Sequence, residues 1–249
     1  MTEHSRAWTR YARQVPLLGQ EGQERLSGAR VLVAGAGGLG SVVSLYLAAA
    51  GVGRLRIVDQ DVVEVSNLNR QIIYREEDLG RGKADRTSRR LMELNSEIEV
   101  EPLAATIDRD NVMDLAGGCD LIVDAMDSFQ CRYLLNDAAL RRGMPLVHGA
   151  VSGFHGQATT VVPGRTACLR CIFPRAPPKV APPVLGATCG IIGSIQATEA
   201  VKCILGMEGR LENRLLIWDG VEACMDQLGV ERNDECPACS QALRRRDNG

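Results

Sequence analysis

Two sets of residues in this 249-residue chain carry chemistry in their types and spacing. Near the start, Gly35-Ala36-Gly37-Gly38-Leu39-Gly40 follows an apolar run. Between a strand and a helix, a Gly-x-Gly-x-x-Gly loop lets backbone N–H groups approach a phosphate at the helix N-terminus. A tight turn without a ligand can carry the same glycines, so the context matters. Asp59 closes the next apolar run, where an acidic residue accepts hydrogen bonds from ribose hydroxyls. Gly35, Gly37, Gly38, Gly40 and Asp59 therefore read as an adenine-nucleotide cradle, which suits ATP as well as NAD. Near the end, Cys168/Cys171 and Cys236/Cys239 form two Cys-x-x-Cys pairs. Four thiolates fill a tetrahedral zinc shell and leave no position open, so a structural site is expected. A redox reading of one pair explains only half of the pattern. Loss of a ligand should loosen the C-terminal region and spare the phosphate site.

The segment beyond Asp59 separates the two nucleotides. It holds Asp61, then Ser66-Asn67-Leu68-Asn69-Arg70-Gln71, then Lys83. Hydride transfer has no need of amides and cations crowded past the ribose strand. A triphosphate does, because its transfer chemistry is mostly positioning and charge stabilisation. Taken alone, Arg70 or Lys83 reads as a solvated surface charge; their company changes that reading. Asp124-Ala125-Met126-Asp127 follows a later apolar run, at the sheet edge where ligands bind in this architecture. One carboxylate there can hold Mg²⁺ through a largely hydrated shell, and Asp127 is favoured over a mere helix-terminal charge. His4, His148 and His155 show no metal-ligand spacing. His148 reads as a packed or hydrogen-bonded strand residue.

These residues need elements to position them. Arg30–Ala34 is a Val-rich run suited to a buried parallel strand. Gly38–Ala50 reads as a helix packed closely on a sheet, and Leu55–Val58 as the next strand. Lys83–Asn95 has helical spacing, and Ile98–Leu103 and Leu121–Asp124 are strand-like. Ser128 is placed to cap a helix over Phe129–Arg142, and Leu146–Val151 is a fifth strand. This is a doubly wound, Rossmann-like α/β pattern with a mostly parallel sheet. Residues 5–27 read as helices leading into it. Beyond it, Gln157–Val162, Arg214–Trp218 and Ala223–Leu228 read as antiparallel extensions. Residues 174–186 hold five of the ten prolines and should cross in extended form. Gly190–Leu205 reads as a helix. One domain over 1–249 is expected, with a nucleotide-binding half (28–152) and a distal half (153–249) carrying the four-cysteine zinc site.

Lys and Arg number 29 against 31 Asp and Glu, so bulk charge draws the chain to neither nucleic acid nor membrane. Neither a bilayer-spanning run nor a signal-peptide core is visible. A cytoplasmic setting is expected, where disulfides are rare. Cys119, Cys131, Cys189, Cys203 and Cys224 then read mostly as buried free thiols.

Together these residues match a family. Arg10-Tyr11-Ala12-Arg13-Gln14, the glycine loop, Asp59-x-Asp61, Ser-Asn-Leu-Asn-Arg-Gln, Lys83, Asp127 and the two Cys pairs stand in order from Arg10 to Cys239. The set resembles the ThiF/MoeB/HesA adenylyltransferases, relatives of ubiquitin-activating enzymes. The resemblance implies that Mg-ATP and the Gly-Gly tail of a small ubiquitin-like sulfur carrier (MoaD/ThiS-like) bind together. The tail carboxylate would attack the α-phosphate, releasing pyrophosphate and leaving an acyl-adenylate. By matching positions, Asp59 would hold the ribose, Asn67, Arg70 and Lys83 the phosphates, and Asp127 the Mg²⁺. Arg13 would reach the ATP of the other subunit of a homodimer, as an arginine finger does.

Many relatives carry a further cysteine in the crossing segment. Here that segment has none, and Cys189 falls too late to replace it. This favours adenylation alone, nearest the MoeB type, with sulfur loaded by a separate sulfurtransferase or cysteine desulfurase. Ser128 stands where relatives often have Asn. The sequence ends soon after Cys239, so no fused sulfurtransferase domain is expected. Three alternatives remain at this point. They are an NAD-dependent oxidoreductase, an adenylyltransferase for another substrate, and a non-catalytic carrier-binding subunit.

Overall fold

The computed structural model describes residues 9–176 and 183–240. Its frame is an eight-stranded sheet with strand order β3-β2-β1-β4-β5-β6-β7-β8. The strands are β1 (Arg30–Ala34), β2 (Arg54–Val58), β3 (Glu99–Leu103), β4 (Leu121–Asp124), β5 (Leu146–Ser152), β6 (His155–Val161), β7 (Arg214–Asp219) and β8 (Cys224–Gly229). β1 to β5 run parallel, and β6 to β8 extend the sheet antiparallel. Chain order reverses between β1 and β4, which opens the crevice where doubly wound sheets bind ligands.

Side chains alternate across a strand, and here both faces are covered. Val31 and Val33 meet one core with Leu26, Leu47, Leu91 and Ala197. Those four come from α1 (Val15–Gly28), α2 (Gly38–Ala50), α3 (Lys83–Leu94) and α7 (Gly186–Leu205). Leu32 and Ala34 meet a second core with Val112, Leu135 and Leu169, from α4 (Val112–Leu115), α5 (Phe129–Arg142) and α6 (Leu169–Ile172). Cys168, Cys236 and Cys239 are part of that second core.

The α5 boundaries are those the sequence predicts, and Ser128 Oγ accepts the Cys131 N–H at 3.3 Å. Other elements differ from expectation. The N-terminal stretch is not continuously helical: residues 11–14 form a turn, and α1 starts at Val15. Tyr11 is buried and accepts a hydrogen bond from Asn95 Nδ2 at 2.9 Å, which breaks the helical path. Gly19 interrupts α1 with φ 73 and ψ 170. Residues 5–8 lie outside the described residues.

The late helix begins at Gly186 rather than Gly190. A Cβ at Gly186 would stand 2.5 Å from the Asn69 carbonyl, so glycine lets the helix start against residues 69–70. Residues 177–182 of the crossing segment lie outside the described residues. Its returning end is extended, with Val184 bridging Gly153. Of the five cysteines read mostly as buried thiols, only Cys189 is fully buried; Cys119, Cys131 and Cys203 are half-buried and Cys224 is exposed on β8. No helix among the described residues is long and apolar enough to cross a membrane.

Candidate functional site

The glycine loop joins β1 to α2 at the carboxyl edge of the sheet. Gly35 has φ +95, a conformation open to glycine and costly for other residues. A Cβ at Gly40 would stand 1.9 Å from the Gly35 carbonyl oxygen, so the turn closes only without one. Asp59 ties the loop to β2. Its Oδ2 accepts the Ala36 N–H at 2.8 Å, and its Oδ1 accepts the Asp61 N–H at 2.8 Å. Tyr74 donates its hydroxyl to the Ala36 carbonyl at 2.8 Å. Burial pushes the Asp59 carboxyl up; the two N–H donors and Lys83 oppose it.

The remaining cradle residues come from the stretch after β2. Lys83, 6% exposed, places Nζ 3.1 Å from Asp61 Oδ2. Asn67 is buried, and its Oδ1 accepts the Glu64 N–H at 3.0 Å. Arg70 donates to the Ser66 carbonyl at 2.8 Å and to Asn69 Oδ1 at 3.1 Å. Its stem runs beside Gly38, where a Cβ would lie 3.7 Å from Arg70 Cγ. Gln71 was not singled out as a site residue by the sequence. It is buried beside Gly37, and its Oε1 has no partner. Buried polar atoms are normally satisfied, so an open amide beside the loop fits a polar ligand. Cys189 closes the same wall: a Cβ at Gly38 would stand 2.6 Å from its Sγ.

The two carboxylates at the end of β4 and in the loop after it separate sharply. Asp124 is fully buried and engaged by His148 Nδ1 at 2.7 Å and by the Met126 N–H at 3.1 Å. It has no side open to a metal. Asp127 is exposed. Its loop abuts the glycine loop, since a Cβ at Gly35 would lie 2.8 Å from the Ala125 carbonyl oxygen. Gly35, Gly37, Gly38, Gly40, Asp59, Asp61, Asn67, Arg70, Lys83 and Asp127 thus gather around the β1/β4 crevice. Arg13 does not join them. It is exposed on the 11–14 turn, next to Gln14, whose Nε2 donates to the Ala50 carbonyl at the far end of α2.

Cys168, Cys171, Cys236 and Cys239 converge, with all four sulfurs within 4.8 Å of one another. Cys168 Sγ lies 3.8 Å from Cys171 Sγ and 3.6 Å from Cys236 Sγ, and Cys171 Sγ lies 3.5 Å from Cys239 Sγ. Tetrahedral zinc–sulfur bonds place sulfurs roughly 3.8 Å apart, so the cluster can hold zinc. Burial and the neighbouring thiols push Cys168 up, and burial with Cys171 pushes Cys239 up to about 12. Cys236 moves the other way, burial being outweighed by its backbone and side-chain hydrogen bonds. Four thiolates this close repel one another and are stable together only around a cation.

The profile of the ThiF family matches residues 11–238. The chain is 45% identical to the SAMP-activating enzyme E1 of Haloferax volcanii, over 93% of this chain and 88% of the relative. It is 44% identical to the sulfur carrier protein adenylyltransferase of Thermus thermophilus, over 96% and 93%. It also matches the adenylyltransferase and sulfurtransferase MOCS3 of Culex quinquefasciatus at 43%, over 93% of this chain and 55% of that protein. Among solved structures, E. coli MccB with ATP superposes with a TM-score of 0.83 at 25% identity, over 92% of this chain and 73% of MccB.

Proposed function

The chain belongs to the ThiF family, and we propose from that membership that it is an adenylyltransferase. Its substrates on this reading are ATP and the C-terminal Gly-Gly carboxylate of a small ubiquitin-like sulfur carrier of the MoaD/ThiS kind. The relatives named for sulfur-carrier adenylylation and SAMP activation match it over nearly their whole lengths, which supports that substrate class. The observation that carries the reading is the meeting of glycine loop, Asp59 and buried Lys83 at one sheet edge, with the buried Gln71 Oε1 unpartnered beside them.

In this account the carrier carboxylate attacks the α-phosphate, the bond to pyrophosphate breaks, and the acyl-adenylate forms. Asp59 accepts from the ribose. Asn67, Arg70 and Lys83 hold the phosphates, with Asp61 fixing the Lys83 ammonium. Asp127 is the residue that would hold Mg²⁺, which neutralises phosphate charge when bound. Arg13 of the partner subunit supplies a further cation, so a homodimer is the active unit. The cysteine cluster binds zinc and anchors the tail. The chain acts as one adenylation domain, and a separate sulfurtransferase or cysteine desulfurase delivers the sulfur.

Binding and product measurements test this. ATP should bind and NAD should not, and pyrophosphate should appear only when a Gly-Gly carrier is added. NAD binding without ATP binding would return the protein to oxidoreductase chemistry.

A further inference from the structure

We propose that Arg132, Asp124 and His148 form a buried clamp that positions the Asp127 loop; this rests on the reading of Asp127 as the Mg²⁺-holding residue. The Asp127 side chain is exposed, so its placement depends on the backbone that precedes it. That backbone is held at both ends of one residue. Asp124 Oδ1 accepts the Met126 N–H at 3.1 Å. Arg132 donates to the Met126 carbonyl from Nε at 3.2 Å and from Nη2 at 2.8 Å.

The clamp is itself held. His148 Nδ1 lies 2.7 Å from Asp124 Oδ2. Because a carboxylate accepts, this nitrogen carries the proton, and Nε2 is left to accept from Gln157 Nε2 at 3.4 Å. Arg132 Nε stands 4.0 Å from Asp124 Oδ2, so the buried carboxylate has a cation beside it. From the opposite face, Gln196 Nε2 donates to the Asp124 carbonyl at 2.8 Å. The side chains of β4, α5, β5 and α7 thus converge on Asp124 and Met126.

Stability does not explain the arrangement. Asp124, His148 and Gln196 are fully buried and Arg132 is 6% exposed. A buried ion pair costs desolvation and is often replaceable by apolar groups without loss. The preceding core positions on these strands, Ile122 and Leu146, are apolar. The polar set appears where the strands reach the ligand edge, where a fixed loop prepares a site before its ligand arrives. These are positioning residues, because they act through the Met126 peptide and not on substrate.

The test compares ATP affinity by calorimetry with and without Mg²⁺ in the full-length protein, after thermal melting confirms the fold. Arg132→Lys keeps a cation near Asp124 but loses the two-point hold on Met126. His148→Gln removes the Nδ1 donor, whereas His148→Asn keeps a donor near that position. Arg132→Lys and His148→Gln should cut the Mg²⁺-dependent gain in affinity on the order of tenfold, the usual cost of losing a group that orients a metal ligand. Mg²⁺-free affinity should not change, and His148→Asn should resemble wild type.

If folded Arg132→Lys and His148→Gln keep the full Mg²⁺ gain, the clamp is wrong. If Arg132→Lys does not fold, the two His148 variants decide, and equal behaviour by them overturns it. Asp127→Asn separates the two readings. Retention of the Mg²⁺ gain by that variant removes the Asp127 reading and the clamp with it. Its loss there, but not in the clamp variants, removes the clamp alone.

Discussion

Gln14 donates its side-chain amide to the Ala50 carbonyl at 2.9 Å, which fixes the neighbouring Arg13 at the end of α2 opposite the glycine loop. The 13 residues of α2 separate the two ends by roughly 20 Å at 1.5 Å per residue. Within one subunit Arg13 is too far to meet a phosphate at Gly37. The proposed role therefore requires a second copy. Arg13→Ala should keep its fold and lose adenylation on the order of 10³-fold or more, as removal of an arginine finger does. Mixing Arg13→Ala with Asp59→Ala subunits should restore activity, because each mixed dimer holds one intact site. No recovery after verified subunit exchange would rule out action across the dimer.

The glycine loop separates two kinds of crowding. A Cβ at Gly40 meets the Gly35 carbonyl at 1.9 Å, a backbone atom that no side-chain change relieves. A Cβ at Gly38 meets Cys189 Sγ at 2.6 Å. Both Gly40→Ala and Gly38→Ala should weaken ATP binding, but Cys189→Ala should restore much of it only in the Gly38→Ala background. The coupling should be about 0.5–3 kcal/mol, as for residues in direct contact. Cys189→Ala alone should keep adenylation, in line with a wall residue. Loss of carrier adenylation in that single variant, with ATP binding intact, would give the thiol a chemical role.

His148 makes the fold sensitive to acid. Burial lowers its pKa below the ordinary 6.5, against the pull of Asp124. The unfolded chain then takes up a proton that the native state refuses. Stability is present above pH 6.5 and falls as pH drops through the lowered native value. His148→Asn removes this proton uptake, so its melting temperature should fall less than wild type between pH 7 and pH 5. Parallel curves for the two proteins would refute the assignment.

Removal of one zinc ligand should act locally. Cys236→Ser should abolish stoichiometric zinc and make residues 230–240 sensitive to protease, because the cluster joins that tail to α6. ATP affinity should stay near wild type, since the nucleotide cradle is built from the β1 to β4 edge. A large loss of ATP binding in a protein whose sheet remains folded would show that the two sites are coupled.

What the sequence reveals depends on how local the cause is. The strands β1, β4 and β5 were legible because each is built on a short apolar run, and α5 because Ser128 marks its start. The cradle was legible because glycines, Asp59 and Lys83 follow at fixed offsets. The 11–14 turn was not, since it depends on Tyr11 reaching Asn95 across 84 positions. Nor was the early start of α7, which depends on Gly186 meeting the distant Asn69 carbonyl. His148 read as a hydrogen-bonded strand residue, yet its link to Asp124 and Arg132 emerges only when β4, β5 and α5 are side by side. Gln71 lay within the quoted Ser-Asn-Leu-Asn-Arg-Gln run, and its open amide is visible only against Gly37.

The most direct test of the account is carrier-dependent exchange of labelled pyrophosphate into ATP. Candidate ubiquitin-like proteins would be offered with an intact Gly-Gly tail and with the last Gly removed. Exchange with the intact tail alone is the expected result, because only that carboxylate reaches the α-phosphate. Absence of exchange with every carrier, despite tight Mg-ATP binding, would contradict carrier adenylylation as the function of this protein.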